Sequence, residues 1–333
     1  MSLKKRIALI GGAGFIGHNL ALALARKGHS VHVVDSLAVN NFLYLASANN
    51  RVVNRKFYIR MTDERLALLE QAGVAFYAQD AREYHELSQL LGRIEPQIVV
   101  LLAAVSHADR SNKAPYSTFD HSFRTLENTL DNCRSDCVEH FIYFSSSMVY
   151  GHFKHGLVTE DTPCEPLGIY GALKYGGEKL VTAYNQVFGL PCTIVRPSAL
   201  YGERCVSRRV VQIFVESAMR GEDIVIKGDG EDRLDFTYID DLVAGVINVT
   251  ESENSKNNIF NLTYGESRSL TDLANIVAEY FPRIKVTHLP KDRLTPERGT
   301  LSVEKARKML GYNPQFPLEK GIPKYIDWYK SFL

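Results

Sequence analysis

Three features of this 333-residue sequence predict an α/β fold, a doubly wound parallel sheet with a smaller C-terminal lobe. Short β-branched apolar runs alternate with segments of helical period. A Gly-rich turn joins the first run to the first helix, and later runs end on small or polar residues, where open α/β sheets place their ligands.

Arg6 to Ile10 is the first run, and Phe15 to Arg26 carries helical spacing after Gly11-Gly12-Ala13-Gly14-Phe15-Ile16-Gly17. Glycines 11, 14 and 17 let the backbone turn tightly, approach a pyrophosphate and pack helix on strand, while the helix N-terminus offers free N–H groups to phosphates. The second run, Val31 to Val34, ends at Asp35. Its carboxylate can accept both ribose hydroxyls of an adenosine and repels a 2′-phosphate, so NAD is expected over NADP; a plain strand-end turn residue is the alternative. Residues 40–73 are polar, Asn-rich and then helical, with no chemistry assigned. Val74 to Tyr77 leads to Asp80, placed to accept from the adenine amino group. Ile98 to Leu102 is the fourth strand, and Ala103 and Ala104 are small enough for a dinucleotide to cross its end. After a helix through residues 115–135, Phe141 to Phe144 delivers Ser145, Ser146 and Ser147, one of which is expected to hydrogen-bond a substrate. Thr193 to Arg196 is a further buried strand. The division expected is a Rossmann-type NAD-binding domain with the catalytic residues over 1–190, and mainly a substrate-binding lobe over 191–333, with some segments returning to the sheet.

Tyr170 and Lys174 stand at i and i+4, so on a helix they project from one face. A tyrosine ordinarily ionises near pH ~10; an ammonium beside it favours the phenolate and brings that value toward neutrality, as a general acid/base requires. The spacing alone also fits a core tyrosine beside a solvated lysine. The Gly-rich turn and the Ser cluster favour the chemical reading.

Lys and Arg number 39 against 38 Asp and Glu, a net charge of +1, so no overall field draws the chain to nucleic acid or to a membrane. Cys133, Cys137, Cys164, Cys192 and Cys205 are odd in number and form no C-x-x-C pair. That disfavours a disulfide framework and a metal site and suits reduced cytoplasmic thiols. Lys4-Lys5-Arg6 opens an apolar run in the manner of a secretory leader, but glycines punctuate it, and no stretch reaches membrane-spanning length without a polar break.

Together these residues resemble the extended branch of the short-chain dehydrogenase/reductase superfamily, the nucleotide-sugar epimerases and dehydratases, with a UDP-glucose 4-epimerase-like pattern. The resemblance covers G-G-A-G-F-I-G at 11–17, Asp35, Asp80, L-A-A at 102–104, S-S-S-M-V-Y-G at 145–151, Y-G-A-L-K at 170–174, R-P-S-A-L-Y-G at 196–202, G-D-G-E-D-R-L-D-F-T-Y-I-D-D at 228–241 and K-A-R-K-M-L-G-Y at 305–312. It implies that Tyr170 is the general acid/base, that Lys174 binds the nicotinamide ribose and lowers the Tyr pKa, and that Ser146 holds the substrate hydroxyl, with Ser147 a rival. To NAD it assigns Gly11, Gly14, Phe15, Ile16, Gly17, Asp35, Asp80, Ala81, Leu102, Ala103, Ala104 and Ser145, beside Tyr170 and Lys174. To a nucleotide-diphosphate sugar it assigns Ser146, Ser147, Tyr170, Ala199, Arg209, Arg233 and Arg298. It also implies a role in polysaccharide biosynthesis and a homodimer, in which the helix from Tyr170 to Val187 and the one near 115–135 meet their symmetry mates. Leu173, Leu180, Val181, Tyr184 and Val187 suit that buried stripe, or equally a face toward the sheet.

Departures from the family pattern sharpen the expectation. Dehydratases carry an acidic pair directly after the catalytic Ser or Thr, and related decarboxylases an acid, whereas Ser147 and Met148 stand here. Without a carboxylate for proton transfer at C5 or C6, C4 epimerisation through a transient 4-keto sugar is the leading expectation. A 4-keto-sugar reductase or an epimerase at another carbon is the alternative, followed by a 4,6-dehydratase or a non-catalytic dinucleotide-binding protein. The family's Asn is Ala199, its diphosphate Arg falls on Leu234 with Arg233 one place early, and another Asn aligns with His121. Diphosphate contacts are therefore expected from Arg204, Arg208 or Arg209, which equally suit a solvated face, or from Arg298, where relatives place a late Arg. Phe236 to Asp241 is expected to start a helix with an Asp cap.

Overall fold

A computed structural model describes residues 4–39, 41–47, 54–105, 108–154, 156–290 and 297–332. Its central sheet has seven parallel strands: β1 (Arg6–Ile10), β2 (Ser30–Val34), β3 (Ala75–Tyr77), β4 (Ile98–Leu101), β5 (His140–Phe144), β6 (Cys192–Arg196) and β7 (Asn258–Asn261). Their order is β3-β2-β1-β4-β5-β6-β7, so the chain winds outward in both directions from β1 and β4, and a crevice opens where their C-terminal ends part. Ile10 pairs with both Val34 and Leu101, and Leu101 with Tyr143. That register brings Gly11, Asp35, Leu102 and Phe144 out side by side. The strands β6 and β7 both derive from the C-terminal half, which thus returns to the sheet twice.

Alternation along the strands builds two cores. Ile7, Leu9, Val31, Val33, Ile98, Val100 and Ile142 face one side, under α1 (Phe15–Arg26) and α2 (Arg55–Gln71); the same core continues into residues 200–332. Ala8, Ile10, Val99, Leu101, Phe141, Tyr143 and Ile194 face the other, under α3 (Tyr84–Ile94), α4 (Thr125–Asn132) and α5 (Gly168–Phe188). Runs buried on both faces are what all-parallel strands require, which is why β1 and β4 read as continuous apolar sequence.

Several expectations need correction. Of the two places open to the α5 stripe, Val181 takes the face toward the sheet: it is fully buried on the β5–β6 side, and Leu180 and Tyr184 lean on the same core. Val187 and Phe188 are exposed, as are Tyr116 and Phe119. The helix expected over 115–135 is interrupted by a π turn at Asp120–Arg124, which sets His121 into the wall of the crevice. The helix Ile239–Glu251 has Tyr238 at its N-cap, not an Asp. Asp241 instead accepts from the N–H groups of Gln315 (2.6 Å) and Phe316 (2.9 Å), holding the C-terminal segment in place. Of the Asn-rich stretch, residues 40 and 48–53 lie outside the described residues.

The Gly-rich turn is close-packed backbone on backbone. A Cβ at Gly17 would stand 2.5 Å from Gly12 Cα, and one at Gly11, where φ is +84°, 2.5 Å from Ala103 N. Gly17→Ala must push α1 off the sheet, and we expect it to lower unfolding free energy by about 1–3 kcal/mol, measured as a shifted urea midpoint at constant slope. An unshifted midpoint would refute this packing.

Candidate active site

Gly11, Gly14, Phe15, Ile16, Gly17, Asp35, Asp80, Ala81, Leu102, Ala103 and Ala104 all line one cleft over the C-terminal strand ends. The fit to a dinucleotide rests on bare backbone. A Cβ at Gly14 would meet only Gly11 O within 4 Å, at 3.3 Å, so the cleft reaches down to the main chain where α1 begins. No side chain caps that helix, which leaves its first N–H groups for an anion. Asp35 is braced on both oxygens, Oδ2 accepting from Ala13 N–H (3.0 Å) and Oδ1 from Leu37 N–H (2.8 Å). Burial pushes its pKa up, and the two backbone donors oppose the rise. Asp80 is gripped by Arg82, with Nη2 to Oδ2 at 2.7 Å. Burial would raise its pKa, but the Arg82 hydrogen bonds outweigh that and hold it below the ordinary value.

The second cavity takes its wall from Ser145 to Met148, Tyr170, Lys174, Ala199, Arg208, Arg209, Leu234 and Arg298, and shares Ile16, Leu102, Ala104, Leu200 and Arg209 with the first. Ser146 caps the 3₁₀ turn Ser147–Tyr150, its Oγ accepting from Met148 N–H at 3.2 Å. Ser147 Oγ accepts from Arg298 Nη2. Tyr170 and Lys174 both reach the cavity from one face of α5. The Lys174 ammonium is buried, donates to Phe144 O at 2.6 Å and lies 5.0 Å from the Tyr143 ring centroid. Burial lowers its pKa from 10.5 to about 8, with the Glu178 carboxylate opposing.

Ser145 faces the same cavity, but its hydroxyl is committed to Glu178. Glu178 forms a buried two-pronged pair with Arg196, Nε to Oε1 at 2.9 Å and Nη2 to Oε2 at 2.6 Å. Arg196 Nη1 donates to Tyr150 Oη (2.9 Å), and Tyr150 to Asn261 Oδ1 (2.8 Å). Burial alone would depress the Arg196 guanidinium; the paired carboxylate raises it instead. Sequence reasoning missed Glu178, although its place one helical turn after Lys174 was a usable signal. It also missed Arg65, a buried side chain in the cleft wall that donates to Ala13 O (3.4 Å) and to Arg204 O (Nε, 3.1 Å). Nothing in a single sequence marks an arginine in a polar helix for such a place.

Two expected diphosphate contacts fall elsewhere. Arg233 turns to the Ser267 carbonyl (2.6 Å), and Leu234 takes the place in the cavity wall. Arg204 turns away to His18 Nε2 (3.1 Å) and Glu64 (3.7 Å), while His18 Nδ1 lies 2.9 Å from Gly14 O. Burial holds His18 well below its ordinary pKa, so its ring accepts from Arg204 as a neutral imidazole. Arg208 and Arg209 do line the cavity. The loop that carries them has positive φ at three residues other than glycine, Ala199 (35°), Arg204 (60°) and Arg208 (51°).

Comparison with known proteins agrees with this geometry. The sequence model of the NAD dependent epimerase/dehydratase family matches residues 7–263. The chain is similar to the uncharacterized UDP-glucose epimerase YtcB of Bacillus subtilis, at 28% identity over 98% of each chain. It is similar to the putative UDP-glucose 4-epimerase of Methanocaldococcus jannaschii, at 27% over 98% of each. Among solved structures it is similar to the UDP-glucuronic acid 4-epimerase of Bacillus cereus in complex with UDP-glucuronic acid and NAD, with a TM-score of 0.86, 25% identity, and coverage of 98% of this chain and 100% of that one.

The buried ammonium has a consequence for stability. Between about pH 8 and 10.5 the native state holds Lys174 neutral while the unfolded chain still protonates it, so raising the pH favours folding across that window and not below it. Ligand-free protein should therefore gain stability relative to Lys174→Met from pH 8 to 10.5 in denaturant titrations. Parallel curves for the two proteins would contradict the burial.

Proposed function

This chain belongs to the NAD-dependent epimerase/dehydratase family, and from that premise we propose that it interconverts a UDP-sugar and its C4 epimer through a transient 4-keto sugar. The observation that carries the reading is the convergence of Tyr170, Lys174, Ser146 and Ser147 on a cavity that shares a wall with the dinucleotide cleft. Bound NAD supplies reversible hydride acceptance at C4. Tyr170 takes the proton from the 4-hydroxyl and later returns it. Lys174, anchored on Phe144 O beside the cleft, holds the nicotinamide ribose and favours the phenolate form of Tyr170. Ser146 or Ser147 fixes the hydroxyl that reacts. Asp35 receives the adenosine ribose, Asp80 borders the adenine, and the free N–H groups of α1 receive the pyrophosphate. Arg208 and Arg209 face the sugar nucleotide's diphosphate.

Among the described residues the reaction cavity has no Asp or Glu in its wall, so a carboxylate for elimination across C5 and C6 is not supplied. Epimerisation needs none. Exposed Tyr116, Phe119, Val187 and Phe188 give the helical face over which two copies would pair as a homodimer. The five free cysteines suit the reducing cytoplasm, and among the described residues no helix is long and apolar enough to cross a membrane.

Incubated with UDP-glucose, UDP-galactose, UDP-glucuronate and UDP-N-acetylglucosamine, the protein should interconvert one C4 pair without added reductant. Strict stoichiometric use of NAD(P)H would make it a reductase instead. Tyr170→Phe should retain NAD while turnover falls by roughly 10² to 10⁴. Near-full activity of that variant would remove Tyr170 from the chemistry. Light scattering at micromolar concentration should give a dimer mass, and a monomer would leave the exposed face without its proposed role.

A further inference from the structure

Asp235 is fully buried, and donors alone converge on it. Its Oδ2 accepts from Leu301 N–H (3.1 Å) and from the Thr263 hydroxyl (3.0 Å), while Oδ1 accepts from Gly265 N–H (3.2 Å). Burial raises its pKa to about 6 and these donors oppose the rise, so at neutral pH it is a carboxylate held by neutral groups. Only a group that accepts on every side fits such a place. An amide or a protonated acid would turn a donor toward one of the three and lose that bond. The segments so joined include the reaction-cavity wall: Leu234, the neighbour of Asp235, and Arg298, three residues before Leu301, both line it. Residues 297–302 form a strap with two edges. Phe153 N–H donates to Glu297 O (3.0 Å), Thr300 N–H to Gly156 O (2.8 Å) and Ser302 N–H to Val158 O (2.8 Å), all on one edge. The N–H of Leu301 points the other way, to Asp235.

Resting on the sugar-nucleotide reading above, we propose that Asp235 is a positioning residue for the substrate's diphosphate: through Leu301 it fixes the strap that aims Arg298 at the phosphates. The contacts of the guanidinium leave its aim to the backbone. It donates to Ser147 Oγ, lies on Met148 Sδ and sits 5.3 Å from the Phe153 ring centroid, and its buried Nε has no hydrogen-bond partner among the described residues. No carboxylate holds the fork, as Glu178 holds that of Arg196. Thr263 and Gly265 follow β7, so one carboxylate refers the strap to the sheet whose strand ends carry the serines and the cofactor cleft. The local sequence adds weight to this role. Where the family pattern has a diphosphate arginine just before Asp-Phe, this chain has Leu234, an apolar part of the wall. The charge absent there is supplied by other arginines in the wall, and the aspartate beside Leu234 ties the late one in place.

Calorimetric titration of NAD-loaded protein with UDP tests the proposal in four proteins: the unchanged chain, Asp235→Asn, Arg298→Leu and the double variant. Asp235→Asn should weaken UDP binding roughly 10-fold and Arg298→Leu roughly 10- to 100-fold. The double variant should bind no more weakly than Arg298→Leu alone, because the aspartate acts through that arginine. All four proteins should retain equal amounts of NAD on gel filtration. Losses that multiply in the double variant would make Asp235 a structural residue independent of Arg298 and overturn the proposal. Unchanged UDP affinity in Asp235→Asn, or a matching loss of NAD, would overturn it too. Should Asp235→Asn fail to fold, Asp235→Ser keeps an acceptor, removes the charge and is read by the same criteria. Absence of UDP binding by the unchanged protein would overturn the sugar-nucleotide reading and this proposal together, whereas failure to epimerise any sugar with UDP bound would count against the C4 reading alone.

Discussion

The pair of Glu178 with Arg196 ties α5 to the ends of β5 and β6 through buried charge. Glu178 follows Tyr170 and Lys174 at i+8 and i+4 on α5, so one helical face presents proton donor, ammonium and carboxylate in sequence. Arg196 ends β6, and Ser145 begins the turn after β5, so the carboxylate meets both strand ends. Attraction within a buried pair is largely offset by the loss of hydration, and its net contribution to stability is small. Its contribution is to position: if α5 slides relative to β5 and β6, one charge is stranded away from water. Tyr170 and the serines therefore keep their separation because an ion pair behind them cannot tolerate a change in theirs.

The two cavities are linked by polar contacts between segments far apart in the chain. Arg65 joins the Gly-rich turn at Ala13 to the loop at Arg204, and Arg204 returns to His18 on α1. The floor of the dinucleotide cleft and the wall of the reaction cavity are thus one hydrogen-bonded unit. Burial of neutral His18 fits this arrangement, since a charged imidazole could not accept from the guanidinium.

The sheet and the cofactor cleft were legible in the sequence because both rest on local rules. Apolar runs, the glycines at 11, 14 and 17 and the aspartate at a strand end each carry their reason within a few residues. That Tyr170 and Lys174 share one face of α5 was legible for the same reason, through their spacing. What escaped were contacts made at long range. No periodicity shows that Arg204 and Arg233 turn away from the second cavity, that Arg65 lies under the Gly-rich turn, or that Ser145 gives its hydroxyl to Glu178. The stripe on α5 split for a related reason: Val181 and Val187 are alike in sequence, and only the sheet beneath decides which is covered. The Asp cap failed because the carboxylate of Asp241 found a better use in the N–H groups of Gln315 and Phe316, far along the chain.

The loop from Ala199 to Arg209 takes positive φ at Gly202 and also at three residues that are not glycine, Ala199, Arg204 and Arg208. Each such residue costs about 1–2 kcal/mol relative to a right-handed conformation, and Ala199 has no side-chain amide to ease it. Folding, through the packing and hydrogen bonds around Arg204, absorbs that strain. Side chains at these three positions limit the number of shapes the loop can sample, since glycine there would have allowed many more. A nucleotide sugar entering the cavity consequently meets a wall whose ordering was completed before it arrived, and the entropy of immobilising that wall is not subtracted from its affinity.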